Sequence, residues 1–390
     1  MPADRALELA QPFSEEQRLL RETARTFARE RLAPAAADRD RRGAFPIELV
    51  PEMGELGLLA MRSPPRWGGG GIDAVGYVLA IEAVAEACAS TAVFLASSNL
   101  AIQVLATHGT DAQRERWLRP YAEGRLGPAS FALTEPQAGS DASAVRTTAR
   151  REGNGWVLDG AKAWISNGAH AGLFLVFAKT DPEAGARGMG CFVVERDTPG
   201  LTIGAEEEKM GLRASGTVPL FFESCRVPDD HLLGEPTRGY AAALGALAGG
   251  RIGIAAQSIG IAEAALAEGL AYATERHAFG KRVADFQNTQ FTLADCRTEL
   301  DAAWLLTLRA ARHVEAGERA RMASSMAKLT ASETCGRVVD RMLQVHGGNG
   351  YSREYPIERL YRDARVTRIY EGTSEIQRLV VARELLASAG

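Results

Sequence analysis

Between Gly124 and Pro236 the chain is written in short runs rich in β-branched and aromatic residues: WVLDGAKAWISN, LFLVFAKT, GCFVVERD and VPLFFESCRV. Glycine, proline, aspartate and asparagine separate the runs, the punctuation of antiparallel β structure. On both sides of this block the spacing of apolar residues turns helical. A β block set between two helical blocks leaves few architectures open, and this order constrains the fold more than any single motif does.

The leading block starts a helix where Ser14 and Gln17 form a capping box, and Leu20, Ala24 and Phe27 then recur at helical spacing until Pro34. YVLAIEAVAEACAS and DAQRERWLRPYAEG continue in the same style, with the loop PPRWGGGGIDA ahead of them. Gly68 to Gly71 lack the preceding strand, following helix and glycine spacing of a dinucleotide fingerprint, and read as a turn. After the β block, amphipathic segments are expected over about 237–275, 286–316 and 318–346, with a short last helix after Gly372. The expected domains are 1–122 (helical), 123–235 (β) and 236–390 (helical bundle).

A chain of 390 residues, 46% hydrophobic and 24% charged, is long enough for two or three cores and has an ordinary globular balance. A net charge of −4 argues against a nucleic-acid binder working through a basic surface. Cys88, Cys191, Cys225, Cys296 and Cys335 are scattered and odd in number, which fits a reducing compartment. The six histidines have no metal-ligand spacing, so no metal is expected. No leader pattern opens the chain and no apolar run reads as a membrane span, so a cytoplasmic protein is expected, with no membrane partner.

Three stretches carry more polar chemistry than packing needs. FALTEPQAGSDAS (131–143) is dense in hydroxyls, glycine and proline, either a polar interdomain loop or a backbone that turns its N–H groups toward a ligand. AWISNG (163–168) sets a tryptophan beside a hydroxyl, which suits stacking on a planar ring, although a buried strand tryptophan is the commoner case. LQVHGGNGYSREYPIERLYRDAR runs into RIYEGTSEIQ, with Gly347, Gly348 and Gly350 allowing close approach. Glu358, Arg359, Arg362, Asp363 and Arg365 read as an ion-pair network on a helix.

Taken in order, LTEPQAGSD, KAWISNG, KMGLRASGT, RHAFGKRVADFQ, QVHGGNGYSREYP and IYEGTSEIQ resemble the acyl-CoA dehydrogenase family of flavoproteins along nearly the whole chain. The resemblance implies a mostly α fold with a central antiparallel β domain and a C-terminal four-helix bundle, holding FAD between the last two. It implies flavin contacts from Phe131, Leu133, Thr134, Gly139 and Ser140, and from Trp164, Ile165 and Ser166. Arg276, Phe279 and Gln287 match residues that hold the adenosine and pyrophosphate across a dimer, while Gln344, Gly347, Gly348, Thr373 and Glu375 match further flavin contacts.

The resemblance implies Glu371 as the catalytic base, with Ser140, Arg251, Tyr370 and Gly372 around the acyl-CoA substrate. The base takes an α-proton from the thioester while a hydride passes to flavin N5. Walling by Tyr370 would raise the carboxyl's pKa. A capping box read at Ser374 and Gln377 would favour its ionised form.

Some relatives place the base beside the position of Arg251; here that neighbour is Gly250, and Ala248 stands where a CoA contact is common. The implied partners are electron-transfer flavoprotein and further copies of the chain, as a homotetramer built as a dimer of dimers in fatty-acid β-oxidation. Short, branched or medium acyl chains are expected. The same fold hosts flavin oxidases and monooxygenases, the latter without the YEG glutamate, and a DNA-associated flavoprotein, which would want a basic surface.

Overall fold

A computed structural model describes residues 12–317 and 320–388. Expectations that fall on the remaining positions, namely the lack of a leader pattern at the N-terminus, the helix start at 318 and the outermost domain limits, lie outside the described residues.

The first long helix, α1 (Glu15–Phe27), begins at the capping box: Ser14 Oγ accepts from Gln17 N–H at 3.1 Å and Gln17 Oε1 accepts from Ser14 N–H at 3.0 Å. Further on, α2 (Ala74–Ala87) is capped by Asp73, whose carboxylate accepts from Gly76 N–H at 2.6 Å. A kink at Cys88 separates it from α3 (Ala89–His108). Both helices are apolar on almost every side, the pattern of helices enclosed by protein.

Contrary to the sequence reading, α3 and the later helix α4 (Gly239–Glu275) are long and apolar enough for a membrane span by length and composition. Their apolar windows are 83% and 67% buried inside the fold. Alanine, leucine, valine and isoleucine raise mean hydropathy there because the helices are core helices packed on one another.

Seven strands form the central sheet: β1 (Ala129–Ala132), β2 (Thr148–Glu152), β3 (Gly155–Ile165), β4 (Leu173–Lys179), β5 (Met189–Glu195), β6 (Leu201–Ile203) and β7 (Val218–Pro228). The order is β1-β4-β2-β3-β7-β6, with β5 also on β4. Pairing is antiparallel except between β1 and β4 and at the single β2–β4 contact. LFLVFA in β4 reads as continuous apolar because both its faces are covered. Leu173, Leu175 and Phe177 join the large helical core; Phe174, Val176 and Ala178 face a second core with Trp156, Phe192 and Phe222.

The bundle consists of α4, α5 (Gln287–Glu315), α6 (Arg321–His346) and α8 (Ser374–Ser388), with α7 (Pro356–Ala364) crossing between α6 and α8. At about 1.5 Å per residue α4 runs roughly 55 Å. It packs on α2, α3, α5 and α6, which joins the bundle to the leading helices.

Arg362 on α7 pins the blocks together. Its guanidinium donates to Glu358 at 2.8 Å, to Asp40 at 2.7 Å and to the Met210 carbonyl at 3.1 Å. The expected ion-pair network therefore reaches across three segments rather than along one helix. Asp363 is not an ion-pair partner within it: buried, it accepts from Leu212 N–H at 2.6 Å, and burial pushes its carboxyl up to about 6.

Candidate active site

Glu371 sits in the turn between α7 and α8, at φ +49°, and Gly372 follows at φ +91°. Two left-handed residues in succession reverse the chain, and the turn keeps this shape because its carbonyls are held. Gln377 Nε2 donates to the Glu371 carbonyl at 3.1 Å and to the Gly372 carbonyl at 2.9 Å, and Lys328 Nζ donates to the Gly372 carbonyl at 2.8 Å. A Cβ on Gly372 would lie 2.6 Å from Gln377 Nε2, so a side chain there is excluded by space as well as by φ. Among the described residues no hydrogen-bond acceptor faces the Glu371 N–H, which leaves that donor for a ligand.

The capping box expected at Ser374 is not the one formed. Thr373 Oγ1 accepts from Ile376 N–H at 3.3 Å and is the cap, whereas Ser374 Oγ donates to Glu333 at 2.6 Å. Gln377, freed from capping, turns back onto the turn carbonyls. Glu371 thus lies two residues before the cap of α8.

The Glu371 residue is half-buried, yet its Oε2 is enclosed and without a hydrogen-bond partner. The space it occupies is the missing side chain of Gly250: a Cβ there would run into the carboxylate. Burial pushes the Glu371 carboxyl up to about 7, against the pull of the Lys328 and Arg251 cations. Lys328 is fully buried and burial pulls it down to about 8. Arg251, also buried, donates to Ser325 Oγ at 3.3 Å and keeps its Nε unpartnered. Tyr370 is half-buried and its hydroxyl donates to Gln257 Oε1, whose amide nitrogen donates to the Ala89 carbonyl at 3.0 Å. The aromatic is therefore anchored on α4 and α3.

The other expected site residues fall into two clusters. In the first, the Phe131 ring packs tilted against Phe177 with centroids 4.7 Å apart, Ala163 N–H donates to the Thr134 carbonyl at 2.9 Å, and Ser130 Oγ donates to the Ser166 carbonyl at 2.8 Å. These bonds join 131–134 to 164–166. Trp164 is 60% exposed at φ +59°, while Leu133 and Ile165 are buried, and Gly139 and Ser140 lie exposed on the adjoining loop. The second cluster lies at the far end of the bundle. Arg276 closes α4, Phe279 is 97% exposed on the hairpin that follows, and Gln287 opens α5. Gln344, Gly347 and Gly348 are exposed at the end of α6, tied to the same place by the Tyr272–His346 stack at 4.3 Å.

Among the described residues no hydrogen bond or ring contact links the two clusters. Thr373 and Glu375 stand apart from both, at the start of α8 beside the base. An exposed tryptophan face, a buried strand edge and glycines with nothing within 4 Å at Gly139, Gly347 and Gly348 fit a large planar ligand with an extended tail.

Lys328, Gln377 and Gln257 were not legible as site residues. Lys328 sits in SMAKLTASE, and its signal was a lysine at a core-facing helical position. The buried pair of Lys162 and Glu135, 2.7 Å apart beneath the first cluster, had no signal beyond its motif.

Three family models cover the chain: acyl-CoA dehydrogenase, N-terminal domain, over residues 14–125; middle domain, over 130–225; C-terminal domain, over 237–386. The short-chain specific acyl-CoA dehydrogenase, mitochondrial, of Rattus norvegicus is 47% identical over 96% of this chain and 91% of its own. Among solved structures, butyryl-CoA dehydrogenase from Megasphaera elsdenii superposes with a TM-score of 0.93 at 39% identity, covering 96% of this chain and 99% of its own. A chain from the structure described as electron transferring flavoprotein of Acidaminococcus fermentans superposes with a TM-score of 0.95 at 39% identity, covering 96% and 99%.

Proposed function

The chain belongs to the acyl-CoA dehydrogenase family of FAD-dependent enzymes, and from that premise we propose that Glu371 is the base of an α,β-dehydrogenation of a short acyl-CoA thioester. One observation carries the reading: an enclosed carboxylate oxygen without a partner, on a carboxyl lifted to about 7, faces the space left by Gly250. A base poised near working pH combines sufficient ionisation with sufficient proton affinity.

Glu371 takes the α-proton of the thioester. Its own N–H and the turn beneath it receive the carbonyl oxygen as negative charge develops there, which is stabilisation aimed at the transition state. Arg251 and Lys328 add positive charge on the same side. Tyr370 and Gly372 shape the wall, and Ser140 lies on the exposed loop that faces the ligand in this reading. Bound FAD supplies the acceptor for the β-hydrogen, which leaves as hydride to give a trans-2-enoyl thioester. The first cluster would hold the isoalloxazine ring, and the second, from a neighbouring copy, the adenosine and pyrophosphate.

The reading extends to domains at 1–122, 123–235 and 236–390, a cytoplasmic homotetramer, electron-transfer flavoprotein as acceptor and a place in β-oxidation. The similarity to the Acidaminococcus fermentans chain and to the short-chain relative supports the acceptor and the substrate length.

The test is anaerobic mixing of the holoenzyme with butyryl-CoA while following the flavin absorbance. Glu371→Gln should retain FAD and bind substrate but bleach on the order of 10²–10⁴ times more slowly. Bleaching at near wild-type rate would remove Glu371 from the role.

A further inference from the structure

A narrow cleft, partly open to solvent, lies between α3, α4 and the loop before α2. At its inner end Gly250 and Leu100 are in the wall, and both meet at the Glu371 carboxylate: a Cβ on Gly250 would collide with the carboxylate and lie 3.1 Å from Leu100 Cδ1. At its outer end stands Arg62. Gly249 adjoins the guanidinium, since a Cβ there would lie in ordinary contact, 3.5 Å from Arg62 Nη1.

Of the other polar wall residues, Asn99 and Gln103 already bond within the protein. Asn99 donates to the Leu58 and Leu95 carbonyls and accepts from Met61 N–H, and Gln103 donates to Thr107. The Tyr77 hydroxyl lies against Gly253. Arg62 differs: its Nε is enclosed with no partner. Its ion pair, with Glu315 Oε2, spans 3.9 Å, and that same oxygen already accepts from Ala74 N–H at 2.8 Å. The Glu315 side chain is 49% exposed, so solvent screens the pair heavily. Around the cleft stand the cations Arg62, Arg251 and Lys328; Glu371 draws on the last two, and Arg62 is left with this half-solvated carboxylate. An enclosed donor without an acceptor costs free energy that an incoming anion recovers, and a planar guanidinium suits the two oxygens of a carboxylate.

We propose that Arg62 makes this cleft the far end of the acyl site and selects a short acyl thioester whose acyl group ends in a carboxylate. The proposal rests on Glu371 as the base, because the cleft is placed by its contact with that residue. The sites of chemistry and recognition then lie at opposite ends of one acyl group. The reaction is unchanged by the distal carboxylate.

The test compares two five-carbon thioesters, glutaryl-CoA and valeryl-CoA, in anaerobic flavin bleaching by the holoenzyme, with butyryl-CoA as a third substrate. The wild type should favour glutaryl-CoA over valeryl-CoA in kcat/KM by on the order of 10² or more, since a site built to bond an oxygen rejects the analogue lacking it. Arg62→Met should lower that ratio by a similar factor, and Arg62→Lys should keep part of it. Because each ratio is taken within one variant, partial misfolding does not alter it. A wild type that favours valeryl-CoA overturns the proposal and leaves the base in place. An Arg62→Met that slows both substrates equally also overturns it, placing Arg62 on the shared CoA portion or on folding alone. No bleaching with any of the three thioesters would overturn the dehydrogenase reading itself, and the proposal with it.

Discussion

At Glu371 one carboxylate is pulled in opposite directions: burial lifts it to about 7, and Lys328 and Arg251 draw it down. The flavin bleaching rate is therefore expected to rise with pH through about 7, as the base ionises. Removing the larger compensation should shift that midpoint: Lys328→Met is expected to move it upward by about one pH unit, read from the pH dependence of bleaching. Stability follows the opposite sense. The folded-state value lies above the ordinary 4.5, so the folded protein binds this proton more tightly, and its contribution is lost as pH rises from about 4.5 through about 7. Glu371→Gln should accordingly gain Tm over wild type at pH 8 but not at pH 4, in thermal melts run side by side. Space matters as much as charge. Gly250→Ala would push the carboxylate out of its place, and a displacement of this kind is expected to slow bleaching on the order of 10²-fold with FAD retained.

At the scale of elements, α7 is short, yet it carries Arg362, which bonds Glu358 on its own helix and Asp40 from the leading block. All three side chains are at most 16% exposed. Arg362→Ala leaves two carboxylates without their cation and should destabilise by on the order of 3 kcal/mol, seen as a lower Tm with the ultraviolet spectrum of the folded protein unchanged. Helix boundaries were legible to within a few residues because caps and apolar spacing are local properties: Ser14 with Gln17 announced α1, and the expected 286–316 became Gln287–Glu315. The cap of α8 was misassigned by one residue. Thr373 and Ser374 are both good caps, and only the bond from Ser374 to Glu333 on α6 decides between them. The apolar run of β4 announced a strand, but not that β1 would lie parallel to it, a choice made by the long connection between them.

Across the whole molecule, most of the residues expected around FAD gather at two ends, Thr373 and Glu375 excepted, and among the described residues no hydrogen bond or ring contact joins the two ends. Phe279 is 97% exposed and Gly347 and Gly348 have open space around them. In the proposed reading one FAD takes the two clusters from two copies, so light scattering should show at least a dimer, and Arg276→Ala should lower FAD content after gel filtration without lowering the amount of folded protein. What the sequence determined alone was the order of blocks, most helix limits and the identity of the candidate base, because caps, periodicity and motifs are written in neighbouring residues. What only the tertiary structure decided was the state of that base. Lys328, Arg251, Gln377 and Gly250 come to Glu371 from three different helices, and burial, which governs its proton, exists only once α4, α6 and α8 have packed together.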